Sequence, residues 1–247
     1  MLNNKNFLRY HRQIFLKDIG EIGQEKLFNS SVLIVGLGGL GSPTALYLSA
    51  SGIGKIFLAD YDLVDESNLQ RQILYNINDI NKYKAKIAKK KLLKLNPLTK
   101  YISINSKLND YLIDKYVSLV DLVLDCSDNM DTRFSINKYC VKYKKILISG
   151  SAIRFSGQFL VFSPNFKYGC YACLFPNKLN YEYNCKNYGI LGPIVGIIGS
   201  MQSLEAIKIL STNLPINSIG KLYIFNGKTL KWSIFNLTKN KNCKICL

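Results

Sequence analysis

Ser31-Val-Leu-Ile-Val35 runs directly into Gly36-Leu-Gly38-Gly39-Leu-Gly41, and these residues decide how the rest of the chain is read. An apolar, β-branched run with no polar alternation is the pattern of a strand covered on both faces, as in a parallel sheet. The glycines let the backbone turn tightly and approach a phosphate at the N-terminus of a helix, expected here to about Ala50. Asp60 ends the next apolar run, Lys55 to Asp60, where a carboxylate can take both hydroxyls of a ribose. A tight strand–helix turn without a ligand uses some of the same glycines, and a nicotinamide dehydrogenase would carry the same pattern. Which nucleotide binds stays open on these residues.

Working outward, the same alternation recurs. Asn6 to Ser30 reads as short N-terminal helices. A basic amphipathic helix, Lys82 to Lys94, is followed by a strand at Tyr101 to Asn105 and a helix at Asp110 to Leu119. Then come a strand at Asp121 to Asp125, a helix at Met130 to Lys142 and a strand at Lys145 to Ser149. Strands alternating with helices demand right-handed crossovers and a mostly parallel, doubly wound α/β sheet of Rossmann-like type. Past Gly150 the rhythm changes to antiparallel strands, Gln158 to Ser163, Leu222 to Phe225 and Lys231 to Phe235. Asn226-Gly227 supplies a tight-turn signal between the last two. Pro176 to Tyr188 has no apolar period and reads as a mobile loop, and Pro193 to Leu210 as a helix.

The 247 residues carry 33 Lys+Arg against 16 Asp+Glu, a formal charge of +17, with 48% hydrophobic residues. This supports a folded core and excludes a wholly disordered chain. The most apolar later run, Ile190 to Ser200, is short and glycine-rich for a bilayer span, which needs roughly 20 apolar residues. The start, MLNNKNFLRYHRQIF, lacks the apolar segment of a secretory signal. These features read as a soluble, cytoplasmic protein without a membrane partner. The positive charge invites a nucleic-acid reading, but the basic residues are scattered and mostly Lys, so no nucleic-acid partner is expected. A solvated basic face is the stronger reading, and an acidic protein partner is a third.

Ser67-Asn68-Leu-Gln-Arg71-Gln72 sets amide and cationic groups just after the Asp60 strand, and Lys84 opens the basic helix. Hydride transfer needs no such row, whereas fixed donors stabilise charge that builds on a triphosphate. Asp125-Cys-Ser-Asp128-Asn129 ends a strand at the carboxyl edge, where Asp128 can hold Mg²⁺ against phosphate oxygens or cap the helix starting near Met130. Cys170-Tyr-Ala-Cys173 and Cys243-Lys-Ile-Cys246 are spaced for a tetrahedral, structural Cys₄ zinc site that staples the C-terminal tail to mid-chain. A redox pair is the weaker alternative, since neither motif is expected to open a helix after a strand. Cys126 and Cys140 read as buried small apolar residues. The single histidine, His11, reads as an ordinary polar residue.

RYHRQI (Arg9 to Ile14), GLGGLG (Gly36 to Gly41), SNLQRQ (Ser67 to Gln72), DCSDN (Asp125 to Asn129), GCYAC (Gly169 to Cys173) and the terminal CKIC together resemble the ThiF/MoeB/HesA family of the ubiquitin-activating superfamily. The segment Asn184 to Pro193 is closer to the ThiF branch, which serves thiamin synthesis, than to the MoeB branch, which serves molybdopterin. The resemblance implies one such domain over 1–247: N-terminal helices in 1–30, a nucleotide-binding core in 31–150, and a carrier- and zinc-binding part in 151–247. It implies ATP-dependent adenylation of the C-terminal glycine carboxylate of a ubiquitin-like sulfur carrier (ThiS-like), with release of pyrophosphate. Gly39 and Asp60 would hold the adenosine, Asn68, Arg71, Gln72 and Lys84 the phosphates, and Asp128, beside Asn129, Mg²⁺. Arg12 would cross a homodimer to the neighbour's γ-phosphate. Cys185, in the loop, would form an acyl disulfide with the carrier as a cysteine desulfurase delivers sulfur. Tyr83 stands where relatives often have Pro, a departure confined to the helix start before Lys84. The rival readings are activation of the molybdopterin-synthase small subunit, a nicotinamide-dependent oxidoreductase and a non-catalytic carrier-binding scaffold.

Overall fold

The structure, a computed structural model, describes residues 4–176, 189–212 and 215–247. Helices α1 (Asn4–Ile14) and α2 (Gly20–Asn29) precede β1 (Ser31–Val35), which passes through the glycine turn into α3 (Gly41–Ala50). β2 (Lys55–Ala59), α4 (Lys84–Leu95), β3 (Lys100–Ile104), α5 (Asp110–Ser118), β4 (Leu122–Asp125) and α6 (Met130–Lys142) continue the alternation. β5 (Ile146–Ile153) and β6 (Ser156–Phe162) lead to a one-turn helix α7 (Tyr171–Leu174), the long helix α8 (Gly192–Ser211), and β7 (Lys221–Asn226) and β8 (Lys231–Asn236).

All eight strands form one sheet in the order β3-β2-β1-β4-β5-β6-β7-β8. β3 through β5 pair in parallel, and β5 through β8 antiparallel. The sheet is therefore α/β and mostly parallel up to β5, with an antiparallel extension. β5 runs four residues further than the pattern to Ser149 suggested, because β4 pairs with it only over Ile146 to Ser149 whereas β6 pairs with it from Leu147 to Ile153. The β7–β8 connection is also wider than a two-residue turn. Asn226 Oδ1 accepts from Lys228 N, Gly227 N donates to Phe155 O, and Leu230 takes a positive φ of 56°.

Two apolar layers cover the sheet. One joins Leu48, Leu92, Ile198 and Phe159 under α3, α4 and α8, and the other joins Ile113, Ile136, Phe162 and the Cys170 region under α5 and α6. Full burial of Val32 to Ile34 explains why β1 shows no polar alternation. α8 exceeds the short apolar run read from sequence: at 20 residues it is long and apolar enough to cross a membrane, yet half of that stretch is buried inside the protein. It packs on α3, β5 and β6 as a core helix. Gly199, Gly157 and Gly150 permit this approach, since a Cβ at Gly199 would meet Pro43 Cγ at 2.7 Å.

Candidate functional site

The ends of β1, β2 and β4 line up at the carboxyl edge of the sheet. Val35 pairs with Ala59 on one side and with Asp125 on the other, so Gly36, Asp60 and Cys126 emerge side by side. Strand order reverses between β1 and β4, the topological switch point where open α/β sheets take ligands. The glycine turn is built there by close approach. Gly36 has φ +88° and leaves only 2.7 Å between a would-be Cβ and Cys126 O, so no side chain fits. Gly39 lies against Val195 of α8, at 2.8 Å from a would-be Cβ. Gly38 differs. A Cβ there would meet nothing nearer than Gln72 Nε2 at 3.5 Å, so its open face is free for a ligand. The packing of Gly36 and Gly39 is thus explained by the protein itself.

Asp60 follows β2 with Oδ2 accepting from Leu37 N at 2.7 Å and Oδ1 from Asp62 N at 2.8 Å. Burial raises its pKa above the ordinary carboxylate value, against the pull of Lys84 and of these two amides. Lys84 is buried at the start of α4, and its Nζ lies 3.1 Å from Asp62 Oδ2. A ligand phosphate there would exchange one anion for another around the same cation. Tyr75 is a site residue that the pattern did not single out. Its hydroxyl donates to Leu37 O at 3.0 Å and lies 3.4 Å from Lys84 O, tying the glycine turn to the start of α4. Burial, with Asp60 and Asp79 nearby, pushes this phenol well above its usual pKa and keeps it a neutral donor.

The SNLQRQ segment makes a 3₁₀ turn, Glu66–Asn68, capped by Asp65 through Ser67 N. Arg71 is half-buried and holds Ser67 O at 3.1 Å through Nη1. Gln72 is buried, with an Oε1 that has no hydrogen-bond partner. Asn68 is partly exposed beside them, within 3.4 Å of Ser67 Oγ.

Asp128 is exposed on the β4–α6 turn, three residues past the end of β4, and its hydrogen bond from Asn129 Nδ2 is long at 3.5 Å. It is not the helix cap. Asn129 is, accepting from Thr132 N at 2.9 Å. This leaves the Asp128 carboxylate for a hard cation. Behind it lies a buried polar brace that sequence spacing does not reveal. Asp125 accepts from Ser127 Oγ at 2.6 Å and Ser149 Oγ at 2.7 Å, while Arg133 lies 3.8 Å away. Arg133 also donates to Ser127 O and to Gly150 O at 2.9 Å, and Gln202 Nε2 to Asp125 O at 3.0 Å. β4, β5, α6 and α8 thus meet beneath one exposed carboxylate. Cys126, in the same turn, is buried, and burial with Asp125 nearby pushes its thiol up to about 12. Cys140 is buried as well, and both behave as small apolar residues.

On the opposite layer, Cys170, Cys173, Cys243 and Cys246 converge, all four Sγ lying within 4.8 Å of one another. Neighbouring sulfurs are 3.5 to 4.0 Å apart. A tetrahedron with Zn–S bonds of ~2.3 Å has S···S edges of about 3.8 Å, so the donor set fits that metal. Cys170 stands at the start of the one-turn α7, but residues 163–170 separate that helix from β6, and the second pair at its side makes a metal set rather than a lone redox pair. Burial pushes the Cys170 thiol up to about 11, so a bound cation is what would make it a thiolate. Asn137 on α6 holds the cluster: its Oδ1 accepts from Tyr171 N at 2.9 Å and its Nδ2 lies 3.5 Å from Cys170 Sγ.

Arg12 is exposed on α1. His11 Nδ1 is 2.8 Å from Leu8 O within the same helix. Cys185 lies outside the described residues.

The chain is 44% identical over 246 residues to the sulfur carrier protein ThiS adenylyltransferase of Escherichia coli (strain K12), covering 99% of this chain and 97% of that one. It is 42% identical to the adenylyltransferase and sulfurtransferase MOCS3 of Drosophila virilis, covering 99% of this chain but only 55% of the longer relative. The crystal structure of E. coli MccB with ATP superposes with a TM-score of 0.80 at 26% identity, over 91% of this chain and 68% of that one. Residues 10–245 match the ThiF family, and with the glycine turn, the carboxyl-edge cluster and three of the four clustered cysteines inside that span, the chain belongs to it.

Proposed function

We propose that this protein is a nucleotidyltransferase that uses ATP to adenylate the C-terminal glycine carboxylate of a ThiS-like, ubiquitin-like sulfur carrier, the step that precedes sulfur transfer in thiamin thiazole synthesis. The observation that carries the reading is one sheet edge bearing an open glycine face at Gly38, a ribose-type carboxylate at Asp60, a buried cation at Lys84 and an exposed carboxylate at Asp128. A relative 44% identical along the whole chain bears that activity in its name.

The chemistry needs positioning and charge more than proton transfer. A carrier carboxylate oxygen attacks the α-phosphorus of ATP, the α–β phosphate bond breaks, and pyrophosphate leaves with the electron pair. No proton moves, so no base is required. Asp60 orients the ribose, the Gly38 face admits phosphate oxygens, and Asn68, Arg71, Gln72 and Lys84 offset charge on the departing pyrophosphate. Asp128 would hold Mg²⁺, which would supply further neutralisation of the phosphates. The scheme divides the chain into a nucleotide core at 31–150 and a carrier-facing, zinc-bearing part at 151–247. Phe155, Leu230, Trp232 and Ile234 expose apolar surface on the latter. The N-terminal helices, 1–30, pair two copies: Leu8, Phe15 and Ile22 are 67 to 74% exposed, and Arg12 between them is free to reach a neighbour's site. Absence of disulfides among the described cysteines accords with the reducing cytoplasm.

ATP–pyrophosphate exchange that depends on an added carrier ending in Gly-Gly tests the reading. Exchange only with the molybdopterin-synthase small subunit would move the protein to the MoeB activity. No exchange with any carrier would leave a scaffold or an oxidoreductase. Gly38→Ala gives a finer check: it is expected to fold normally yet weaken ATP binding at least about tenfold by calorimetry. Unchanged affinity would take Gly38 out of the phosphate cradle.

For sulfur transfer, a persulfide on Cys185, loaded by a cysteine desulfurase, attacks the acyl carbon, expels AMP and leaves the carrier attached as an acyl disulfide. Cys185→Ser is expected to retain exchange and lose the covalent carrier adduct in non-reducing mass spectrometry. An adduct that survives the substitution rules out this thiol.

A further inference from the structure

Helix α4 carries six lysines and no acidic residue in its 12 positions. Two are accounted for within the fold: Lys84 pairs with Asp62, and Lys91 with Asp79. Lys86, Lys90 and Lys94 are exposed and have no carboxylate within ion-pair distance among the described residues. They are spaced four apart, so they stack on one face of the helix in steps of about 6 Å. Beside that face runs a groove of about 740 Å³, walled by Tyr83, Ile87 and Leu93, by Lys86 and Lys90, and by Ser103 of β3, with Lys94 one helical turn beyond it. The carboxylate in its lining, Asp79, is paired with Lys91. Among the described residues, β3 is the terminal strand of the sheet and pairs with β2 alone. The groove therefore combines a ladder of cations, an apolar wall and an unpaired strand edge.

These features specify a ligand. An extended chain repeats its side chains on one face every ~6.7 Å, close to the lysine step, and its main chain can add to a free sheet edge. From Tyr83 to Leu93 the helix rises about 15 Å, the length of roughly five extended residues. A second copy of this chain would set lysine against lysine. Nucleic acid would be met by lysines alone, since no arginine lines the groove to grip phosphates bidentately, and it has no use for a strand edge. We propose that the groove between α4 and β3 docks an extended acidic segment of a partner protein, added to β3 as a strand, with a carboxylate at every second residue set against Lys86 and Lys90 in the groove and Lys94 one turn beyond it. The inference is independent of the nucleotide-site reading, since none of these lysines belongs to that site.

The test is fluorescence anisotropy of a labelled, blocked (Glu-Val)₄ peptide with the full-length protein. Saturable binding that weakens on raising salt from about 50 to about 300 mM is expected. The triple variant K86E/K90E/K94E is expected to bind at least about tenfold more weakly at an unchanged melting temperature. Peptides N-methylated at alternate amides, in either phase, keep every charge but cannot pair with β3 on both phases. At least one phase is expected to lose about tenfold or more. The proposal is overturned by no binding, by unchanged binding of the triple variant, by both methylated peptides binding as tightly as the unmethylated one, or by oligo(U) of equal charge displacing the peptide with equal or better affinity.

Discussion

Asp128→Ala is expected to lower carrier-dependent ATP–pyrophosphate exchange by at least about a hundredfold, the scale seen when a fixed electrostatic group at a reacting centre is removed. The fold should barely notice. The side chain is exposed, its hydrogen bond from Asn129 is at the 3.5 Å limit, and the α6 cap is Asn129. Surface changes of this kind usually stay within about 0.5 kcal/mol, a shift of roughly 2 °C or less for a chain of this size. Asn129→Ala is the informative contrast. Losing the bond to Thr132 N costs about 1 kcal/mol of helix stability, so the melting temperature falls by roughly 2 to 4 °C. If Asp128 binds Mg²⁺, Asp128→Asn should also raise the Mg²⁺ concentration for half-maximal exchange, which a cap or a spectator would not do. Full exchange by Asp128→Ala, measured by pyrophosphate incorporation, would remove the carboxylate from the reaction and leave the β4–α6 turn without its assigned role.

The parts of the molecule that were legible in the sequence are those whose cause is local. β1 could be read because a strand buried on both faces has no polar alternation, and the glycine turn because Gly36 tolerates no Cβ against Cys126. The four cysteines announced themselves by spacing, since each pair must reach one point from a single turn of chain. β5 was cut short because β4 accompanies it only to Ser149 while β6 pairs with it on to Ile153, and the loss of one of two partners leaves no mark in periodicity. The β7–β8 turn misled for a similar reason: Gly227 is held by Phe155 of another hairpin, a contact of long sequence separation. Within the site, Asp60, Lys84 and Asp128 are residues of the expected chemical types, but their settings were hidden. Neither the Lys84–Asp62 pair nor the Tyr75 tie follows from spacing. The Asp125–Arg133 brace is equally opaque, because a buried guanidinium is unfavourable until Ser127, Gly150 and Asp125 surround it.

Removal of metal from the four-cysteine set should have the largest effect on stability. Elemental analysis is expected to find about one zinc per chain, and chelation should lower the melting temperature by roughly 10 to 20 °C, corresponding to a loss of about 5 kcal/mol at 2 to 4 °C per kcal/mol. The size follows from what the cluster joins. Beyond β8 the chain is tied back by Leu237, whose N donates to Gly220 O at 2.7 Å and whose side chain packs on the layer under α5 and α6, and then by Cys243 and Cys246, which sit in that same layer. Without a cation their sulfurs are packed 3.5 to 4.0 Å from their neighbours with nothing to bind them, and the tail can leave. The consequence should reach past the tail, because Asn137 joins Tyr171 and Cys170 to α6, the helix that begins directly after the Asp128 turn. Chelated protein should therefore lose exchange activity in parallel with its unfolding transition, and Cys246→Ser should reproduce both losses with zinc present. A melting temperature unchanged after metal removal, with the removal verified by elemental analysis, would mean that side-chain packing alone holds the tail and that the four thiols are a buried apolar cluster.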